Sequence, residues 1–237
     1  MHRLSVNLDH IATLRQVRGT QYPDLLEAAR LVQVAGADGI TLHLRGDRRH
    51  IQPADVTLIR AFELPLTLEI ACSAENLKYC ASIRPHAVTF VPERKEELST
   101  EGGLNLGAPG LKEFVNEAVL SLKDAGVICC LFLEPDPETI RAAHAMGVRM
   151  IELHTGTYAE ATPAQIAGEL ERIQKASALG SSLGIQMNAG HGLTVANVVP
   201  FAADKNLFEF SIGHSIVCRS VFVGLKAAVQ EMKQAIG

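Results

Sequence analysis

The sequence predicts an α/β protein folded as a (β/α)8 barrel, or TIM barrel, with additional helices. Two kinds of sequence segment alternate along its 237 residues: short β-branched or apolar runs, and Ala-, Leu-, Glu- and Lys-rich stretches of helical periodicity. Strands separated by helices are parallel, because each crossover returns the chain in the same direction. Eight such units, with no G-x-G-x-x-G after the first strand, favour a closed barrel over an open doubly wound sheet.

Each predicted element has its own signal. Helical periodicity is clearest over 24–37, 111–126 and 137–147, and glycines such as Gly126 and Gly147 end helices just before the next strand. Because no linker or low-complexity segment interrupts the pattern, residues 1–237 are expected to form a single domain. The predicted strands are 3–8, 39–44, 65–71, 86–91, 127–133, 149–154, 184–188 and 208–213.

Composition excludes several classes of partner. Lys and Arg number 22 against 26 Asp and Glu, a formal net charge of −4, which argues against a nucleic-acid surface. No run approaches the roughly 18–20 apolar residues that span a bilayer, and no apolar leader opens the chain, so no membrane partner is expected. Five cysteines without C-x-x-C spacing suggest reduced thiols and a cytoplasmic location.

Polar residues gather where the predicted strands end, which is where a barrel carries its reactive groups. Side-chain alternation sends Glu69 away from the face of Leu66 and Leu68 and into the barrel mouth, beside His43. Burial should raise the pKa of Glu69 and Arg45 should lower it, leaving the carboxylate ionised at neutral pH. The full set is Asn7, Asp9, His10, His43, Arg45, His50, Glu69, Ser99, Thr100, Glu152, His154, Asn188, His191, Gly213 and His214.

Two groups of these residues are typical of anion sites. The decapeptide TLHLRGDRRH supplies His43, Arg45 and His50, and the planar arginine fork donates two parallel hydrogen bonds to a phosphate. Glycines in AGHG (189–192) and IGHS (212–215) let backbone N–H groups and a helix N-terminus approach a second anion. Two phosphate sites in one mouth indicate two phosphorylated substrates, or one bisphosphate.

The chemistry predicted from these residues is acid–base catalysis by Glu and His, without a cofactor. No lysine lies at a strand end, where a Schiff-base aldolase would need one. Histidines can hold Zn²⁺, but the positive charge of Arg45 opposes a cation, so no metal is expected. Two alternatives stay open: a metal-dependent sugar-phosphate aldolase or epimerase, and a non-catalytic sensor of phosphorylated metabolites.

Seven motifs make the chain resemble the pyridoxine 5′-phosphate synthase family over essentially its whole length. They are VNLDHIATLRQVRG, GADGITLHLRGDRRHI, LEIA, STEGGL, IELHTG, NAGHGLT and IGHSIV. The resemblance implies condensation of 1-deoxy-D-xylulose 5-phosphate with 3-amino-2-oxopropyl phosphate, no metal, and assembly as a homo-octamer. The family often has Thr where this chain has Ser99, which leaves open whether Ser99 or Thr100 contacts phosphate.

The resemblance also implies individual roles. His43 and Glu69 would be general bases, His191 the general acid, and Glu152 a stabiliser of developing positive charge. The segment 92–110 is long and polar, and we expect it to act as a lid. The aminoketone phosphate would be held by Asn7, Arg18, Gly192, Gly213 and His214, and the deoxyxylulose phosphate by Asp9, His10, Arg45, His50, Ser99 and Thr100.

Overall fold

The structure, a computed structural model, describes residues 1–93 and 102–237. Eight parallel strands form a closed barrel in sequence order, and β8 pairs with β1. The predicted (β/α)8 fold is therefore confirmed, with strand bounds that differ from prediction by two residues at most. The strands are Arg3–Asn7 (β1), Gly39–His43 (β2), Leu66–Ala71 (β3), Ala87–Val91 (β4), Ile128–Leu133 (β5), Met150–His154 (β6), Gln186–Gly190 (β7) and Leu207–Ile212 (β8).

The helices surround this barrel. Several begin at a side chain that accepts a hydrogen bond from the first turn, as Asp24, Ser73 and Asp136 do. In the described residues the α-helices are Asp9–Arg18 (α1), Leu25–Val34 (α2), Pro53–Arg60 (α3), Ala74–Ile83 (α4), Leu111–Asp124 (α5), Pro137–Ala145 (α6), Gly156–Ala159 (α7), Ile166–Ser182 (α8), His214–Val223 (α9) and Leu225–Ile236 (α10).

One of the eight predicted strand–helix units differs from expectation. Between β7 and β8 the chain forms a single 3₁₀ turn, Val199–Phe201, in place of an α-helix. The Asn197 Oδ1 atom accepts the backbone N–H of Thr194 at 2.6 Å, a side-chain bond that closes a local turn. Pro200 then brings no N–H donor to the segment. The additional helices are α7 and one member of each pair that follows β1 (α1 and α2) and β8 (α9 and α10).

Two interiors result from the alternation of side chains along the strands. Outward residues such as Leu42, Leu68 and Phe90 are fully buried in the apolar layer between barrel and helices. The barrel interior holds buried polar side chains, with one small apolar cluster of Ala87, Cys130 and Met150. The barrel interior is therefore polar beneath the strand ends where the acid–base residues lie.

The structure also tests two expectations from composition: whether a helix could span a membrane, and whether the cysteines are free thiols. Within ranges 1–93 and 102–237, every helix is too short or too polar to cross a membrane. All five cysteines are free thiols, and Cys129 and Cys130 lie in different clusters, on opposite faces of β5.

A buried ion pair joins α1 to α3. The Arg15 guanidinium donates to both carboxylate oxygens of Asp55, at 2.8 and 2.6 Å. Asp55 is only 6% exposed and also accepts the backbone N–H of Gln52 at 2.8 Å, which caps α3. The pair thus fixes the helix that follows β1 against the helix that follows β2.

Replacing Asp55 with Ala should destabilise the protein by about 3–5 kcal/mol, because the Arg15 side chain, only 14% exposed, is left without its counter-charge. Urea unfolding followed by circular dichroism measures the change. Glu171→Ala is the control: it breaks an exposed pair with Lys175 at 2.8 Å and should leave the midpoint unchanged. Equal midpoints for the two variants would contradict this role of the Arg15–Asp55 pair.

Candidate active site

The strand register of the barrel brings the predicted acid–base residues together. His43 on β2 and Glu69 on β3 are register partners, and both side chains point into the barrel mouth. His43 Nδ1 lies 3.8 Å from Glu69 Oε2. Glu152 points into the same interior from β6 and is close enough to raise the pKa of Glu69. The structure therefore brings these three predicted side chains together.

Both carboxyl groups favour their neutral forms. Burial raises the pKa of Glu69 well above its usual value, and the charges of Glu152 and Asp9 raise it further. Burial, followed by the charge of Glu209, raises the pKa of Glu152 to about 8. The expectation that Arg45 would keep Glu69 ionised was wrong, because carboxylates, and not Arg45, supply the electrostatic contribution to its pKa.

Glu152 fits inside the barrel because its neighbour on β7 is glycine. A Cβ atom on Gly190 would lie 2.2 Å from Glu152 Oε1, closer than any non-bonded contact allows. Gly213 is required for the same reason, since a Cβ there would lie 2.7 Å from the Cβ of Asn7. These glycines give the strand ends the space that the neighbouring polar side chains occupy.

Asp9 organises the first strand end. Its Oδ1 accepts the backbone N–H of His43 and its Oδ2 accepts an N–H of Asn7, both at 2.9 Å. Asn7 Oδ1 in turn accepts the Asp9 N–H at 2.8 Å. Burial raises the pKa of Asp9 to about 6, while the charge of His43 and these hydrogen bonds act against burial. Asp9 therefore fixes the position from which His43 enters the mouth.

The predicted anion clamp forms a compact group of imidazoles beside Asp9. His50 Nδ1 is 4.0 Å from Asp9 Oδ1, and the rings of His43 and His50 lie 6.0 Å apart. Burial, then the charges of His43 and Arg45, lowers the pKa of His50 to about 3. Burial and His214 lower that of His10 to about 4. These neutral rings would gain protons when an anion supplies the opposite charge.

The other charges of this stretch have structural partners. Asp47 Oδ2 accepts Arg49 at 2.6 Å, and Arg48 donates to the carbonyl oxygens of Leu44 and Arg45. The Arg45 side chain is 4% exposed, with Nε 3.5 Å from Asp47 Oδ1. Arg48 and Arg49 therefore shape the turn, and Arg45 is held beneath it.

The second predicted anion site lies where β7 and β8 end. Gly213 precedes α9, and among the described residues no side chain caps the first turn of that ten-residue helix. His214 begins the helix, with its ring 4.7 Å from that of His10. Gly192 has φ +75° and follows His191, whose own φ is +84°. The exposed helix N-terminus offers backbone N–H groups and a favourable dipole to an anion.

His191 belongs to a third part of the site, with His154 and Phe132. The His154 and His191 rings lie 5.1 Å apart, and His154 Nδ1 is 2.7 Å from Glu134 Oε1. Burial, then the charge of His154, lowers the pKa of His191, so the unliganded ring is neutral at neutral pH. A cavity of about 560 Å³ adjoins these rings and is lined by Gly102, His154, Gly156, Thr157, Glu160, Ala161, Gln165, Glu169 and His191.

Sequence reasoning missed two carboxylates of the site, Glu93 and Glu134. Each follows a strand end, after β4 and β5, and each is bonded to one imidazole and one backbone N–H. Their position just past predicted strands was the available signal. It went unused because Glu93 opens a long polar segment and Glu134 precedes a turn with two prolines.

One predicted residue lies away from the mouth, and two fall outside the described residues. Arg18 ends α1, about 14 Å along the helix from Asp9, and is exposed. Ser99 and Thr100 lie outside the described residues, as does the central part of the predicted lid. The roles of all three residues stay predictions.

One group in the described ranges has ligand atoms suited to a metal ion. Oxygen or nitrogen atoms of Asp9, His43 and Glu69 lie within 4.8 Å of one another. Both Asp9 oxygens and His43 Nε2 already take part in hydrogen bonds. A cation would have to replace several of these bonds and would compete with the nearby Arg45.

The barrel and its buried carboxyls beside imidazoles define a class, a (β/α)8-barrel enzyme with an acid–base site at the C-terminal face. The chain belongs to the family described as "Pyridoxal phosphate biosynthesis protein PdxJ", whose model matches residues 4–237. The membership predicted from the motifs is confirmed.

Individual relatives agree with this assignment. The chain is 47% identical over 239 residues to a pyridoxine 5′-phosphate synthase of Syntrophotalea carbinolica, covering 100% of this chain and 99% of that protein. It is 49% identical over 239 residues to one from Synechococcus sp., with the same coverage. The crystal structure of KGPDC from Streptococcus mutans superposes with a TM-score of 0.67 at 14% identity, covering 100% and 97% of the two chains. That likeness supports the fold alone.

The raised pKa of Glu152 makes stability depend on pH. In the unfolded chain the group titrates near 4.3, its approximate usual value, and in the folded protein near 8. Between these values the folded protein keeps a proton that the unfolded chain has released, so the free energy of unfolding falls as pH rises. Glu152→Gln removes this loss. The Tm of the variant should equal that of the wild type near pH 4.5 and exceed it at about pH 8.5. The difference should be about 2–4 °C for each kcal/mol of unfolding free energy that the wild type has lost.

Calorimetric scans from acid to alkaline pH test this, with the exposed Glu171→Gln as control. The control should run parallel to the wild type throughout. A Glu152→Gln curve that also runs parallel would show that the carboxyl carries no raised pKa.

Proposed function

We propose that this enzyme is a pyridoxine 5′-phosphate synthase. It condenses 3-amino-2-oxopropyl phosphate with 1-deoxy-D-xylulose 5-phosphate to pyridoxine 5′-phosphate, releasing inorganic phosphate and water. The observation that carries the proposal is the register pair of His43 and Glu69 at the mouth. An imidazole cluster lies on one side of the mouth and an uncapped helix N-terminus on another.

Two substrates would use these anion sites. Arg45, His10 and His50, held next to Asp9, would bind the deoxyxylulose phosphate. Gly213 and His214 at the start of α9, with Asn7 and Gly192 beside them, would bind the aminoketone phosphate. Each phosphate would raise the pKa of the imidazoles that face it, so that binding takes up protons.

The chemistry requires proton transfers and no enzyme nucleophile. The substrate amine attacks the ketone of its partner, and later steps move protons and expel water. The Glu69 and Glu152 carboxyls, neutral before substrate binds, would ionise when positive charge develops on nitrogen nearby. Glu69 and His43 would then take protons, Glu152 would stabilise the cation, and His191 would donate a hydrogen bond or proton to the leaving oxygen.

Three further properties belong to this proposal. Exposed apolar side chains on the neighbouring helices α1 and α9, namely Leu14, Val17, Val221 and Phe222, support a homo-oligomer, which we take to be the octamer. Five free thiols support a reducing, cytoplasmic location. The whole of residues 1–237 would act as one domain around this single mouth.

Incubation of the purified protein with both substrates tests the function. Product absorbance and inorganic phosphate should rise together, in equal amounts, and a chelator should not change the rate. Loss of activity with chelator, restored by a divalent metal, would favour a metal-dependent aldolase or epimerase acting through Asp9, His43 and Glu69. Tight binding of both phosphates without turnover would instead indicate a sensor.

The role of Glu69 has its own test. Glu69→Gln keeps size and hydrogen bonding but cannot accept a proton, so kcat should fall about 10²–10⁴-fold while KM for both substrates stays near normal. Single-turnover kinetics with quenched-flow mass analysis should reveal an early imine that accumulates. Glu75→Gln, an exposed carboxylate on α4, is the control. A wild-type kcat in Glu69→Gln would move the base role to His43 alone.

A further inference from the structure

The His43 ring lies between two carboxyl groups that differ in charge. Its Nε2 is 2.9 Å from Glu93 Oε1, a hydrogen bond, whereas its Nδ1 is 3.8 Å from Glu69 Oε2, too far for one. The two partners come from different strand ends, β4 and β3. The imidazole is therefore anchored on one side and open on the other.

Glu93 is held as an acceptor. Burial raises its pKa, but hydrogen bonds from His43 and Gly46, together with the charges of His43 and Arg45, outweigh burial and bring the pKa below its usual value. An ionised carboxylate only accepts hydrogen bonds. His43 Nε2 must therefore carry a proton in this contact. In the neutral form of the ring, Nδ1 then holds the lone pair, which faces Glu69 and the mouth.

The second Glu93 oxygen fixes the carboxylate itself. Oε2 accepts the backbone N–H of Gly46 at 3.0 Å, in the turn that follows β2. With both oxygens engaged, and the side chain only 13% exposed, the carboxylate cannot rotate away from the ring. The backbone N–H of His43 is bonded to Asp9 as well, so both the main chain and the imidazole of His43 are fixed.

We propose that Glu93 is a positioning residue for the reaction: it holds His43 as the Nε2–H tautomer and so makes Nδ1 the nitrogen that exchanges protons with substrate. The inference rests on the proposed role of His43 as a base and adds which nitrogen acts and what selects it. Carboxylates that orient a histidine in this way are a general device of catalytic and metal sites. Glu93 does not itself contact the mouth through a free oxygen.

Glu93→Gln tests the proposal sharply, because Gly46 dictates how the amide must lie. The Gly46 N–H needs an acceptor, so the amide oxygen turns to it and the amide NH₂ turns to His43. A donor facing Nε2 forces the proton to Nδ1. The variant should therefore carry the opposite tautomer of His43 with almost no change in shape.

The readout is the ¹⁵N resonance pattern of the His43 ring, assigned with His43→Gln, alongside steady-state kinetics. Wild type should show a protonated Nε2, and Glu93→Gln a protonated Nδ1. We expect kcat to fall about 10²–10⁴-fold in the variant, with KM for both substrates little changed. A merely structural role would lower thermal stability without exchanging the protonated nitrogen.

Glu134→Gln is the matched control. Glu134 is also bonded to one imidazole, His154 at 2.7 Å, and to one backbone N–H, from Gly103 at 3.0 Å. This substitution should leave the His43 tautomer as in the wild type. If both variants altered His43 equally, the effect would be a general loss of order and the proposal would be wrong.

The outcomes separate this inference from the proposed function. A protonated Nδ1 in the wild type overturns the inference directly, even if Glu93→Gln fails to fold. An unchanged tautomer in a folded Glu93→Gln also overturns it. Exchange of the tautomer without loss of kcat removes His43 as the base, and with it Glu93 as its positioning residue. If the wild-type protein makes no product, the proposed function is wrong, whereas the tautomer of His43 is still decided by the ¹⁵N resonance pattern.

Discussion

The burial of carboxyl groups inside a closed barrel is the constraint on which the rest of the site depends. Burial raises the pKa of both Glu69 and Glu152, and neighbouring charges add to it: Glu152 and Asp9 for Glu69, and Glu209 for Glu152. Each carboxyl is therefore stable mainly in its neutral form. Gly190 and Asn188 are small or polar neighbours of Glu152, and the charges that shift the pKa of Glu69 and Glu152 among the described residues come from carboxylates. A positively charged ligand would therefore be needed to ionise Glu69 and Glu152.

Around this neutral pair the strand ends carry groups of defined charge. Glu93 is held ionised by hydrogen bonds, and Arg45 lies beneath the turn after β2. His10 and His50 are kept neutral chiefly by burial. The mouth thus contains imidazoles that can take up protons when an anionic ligand binds beside them, and carboxyls that can release protons when a cationic ligand does. A substrate with both charges would rearrange the protons of the site without any change of fold.

The sequence was enough to predict the barrel, its strand order and the inward direction of Glu69, because side-chain alternation is a local property of a strand. It was not enough for the ionisation of Glu69. That depends on Glu152, which is 83 residues away along the chain and arrives through the closure of the barrel. Glu93 was missed for the same reason: its partner, His43, is 50 residues distant, and no local pattern announces the pairing.

The missed carboxylates also explain how His43 and His154 are held in fixed orientations although loops surround them. Glu93 joins the end of β4 to the turn after β2, and Glu134 joins the end of β5 to β6 and to Gly103. Each bond pair spans a strand end and a loop, so the ring orientation does not depend on the loop alone. A histidine held in this way loses little conformational entropy when substrate binds. Positioning therefore comes from groups behind the rings, and the faces toward the mouth stay open for chemistry.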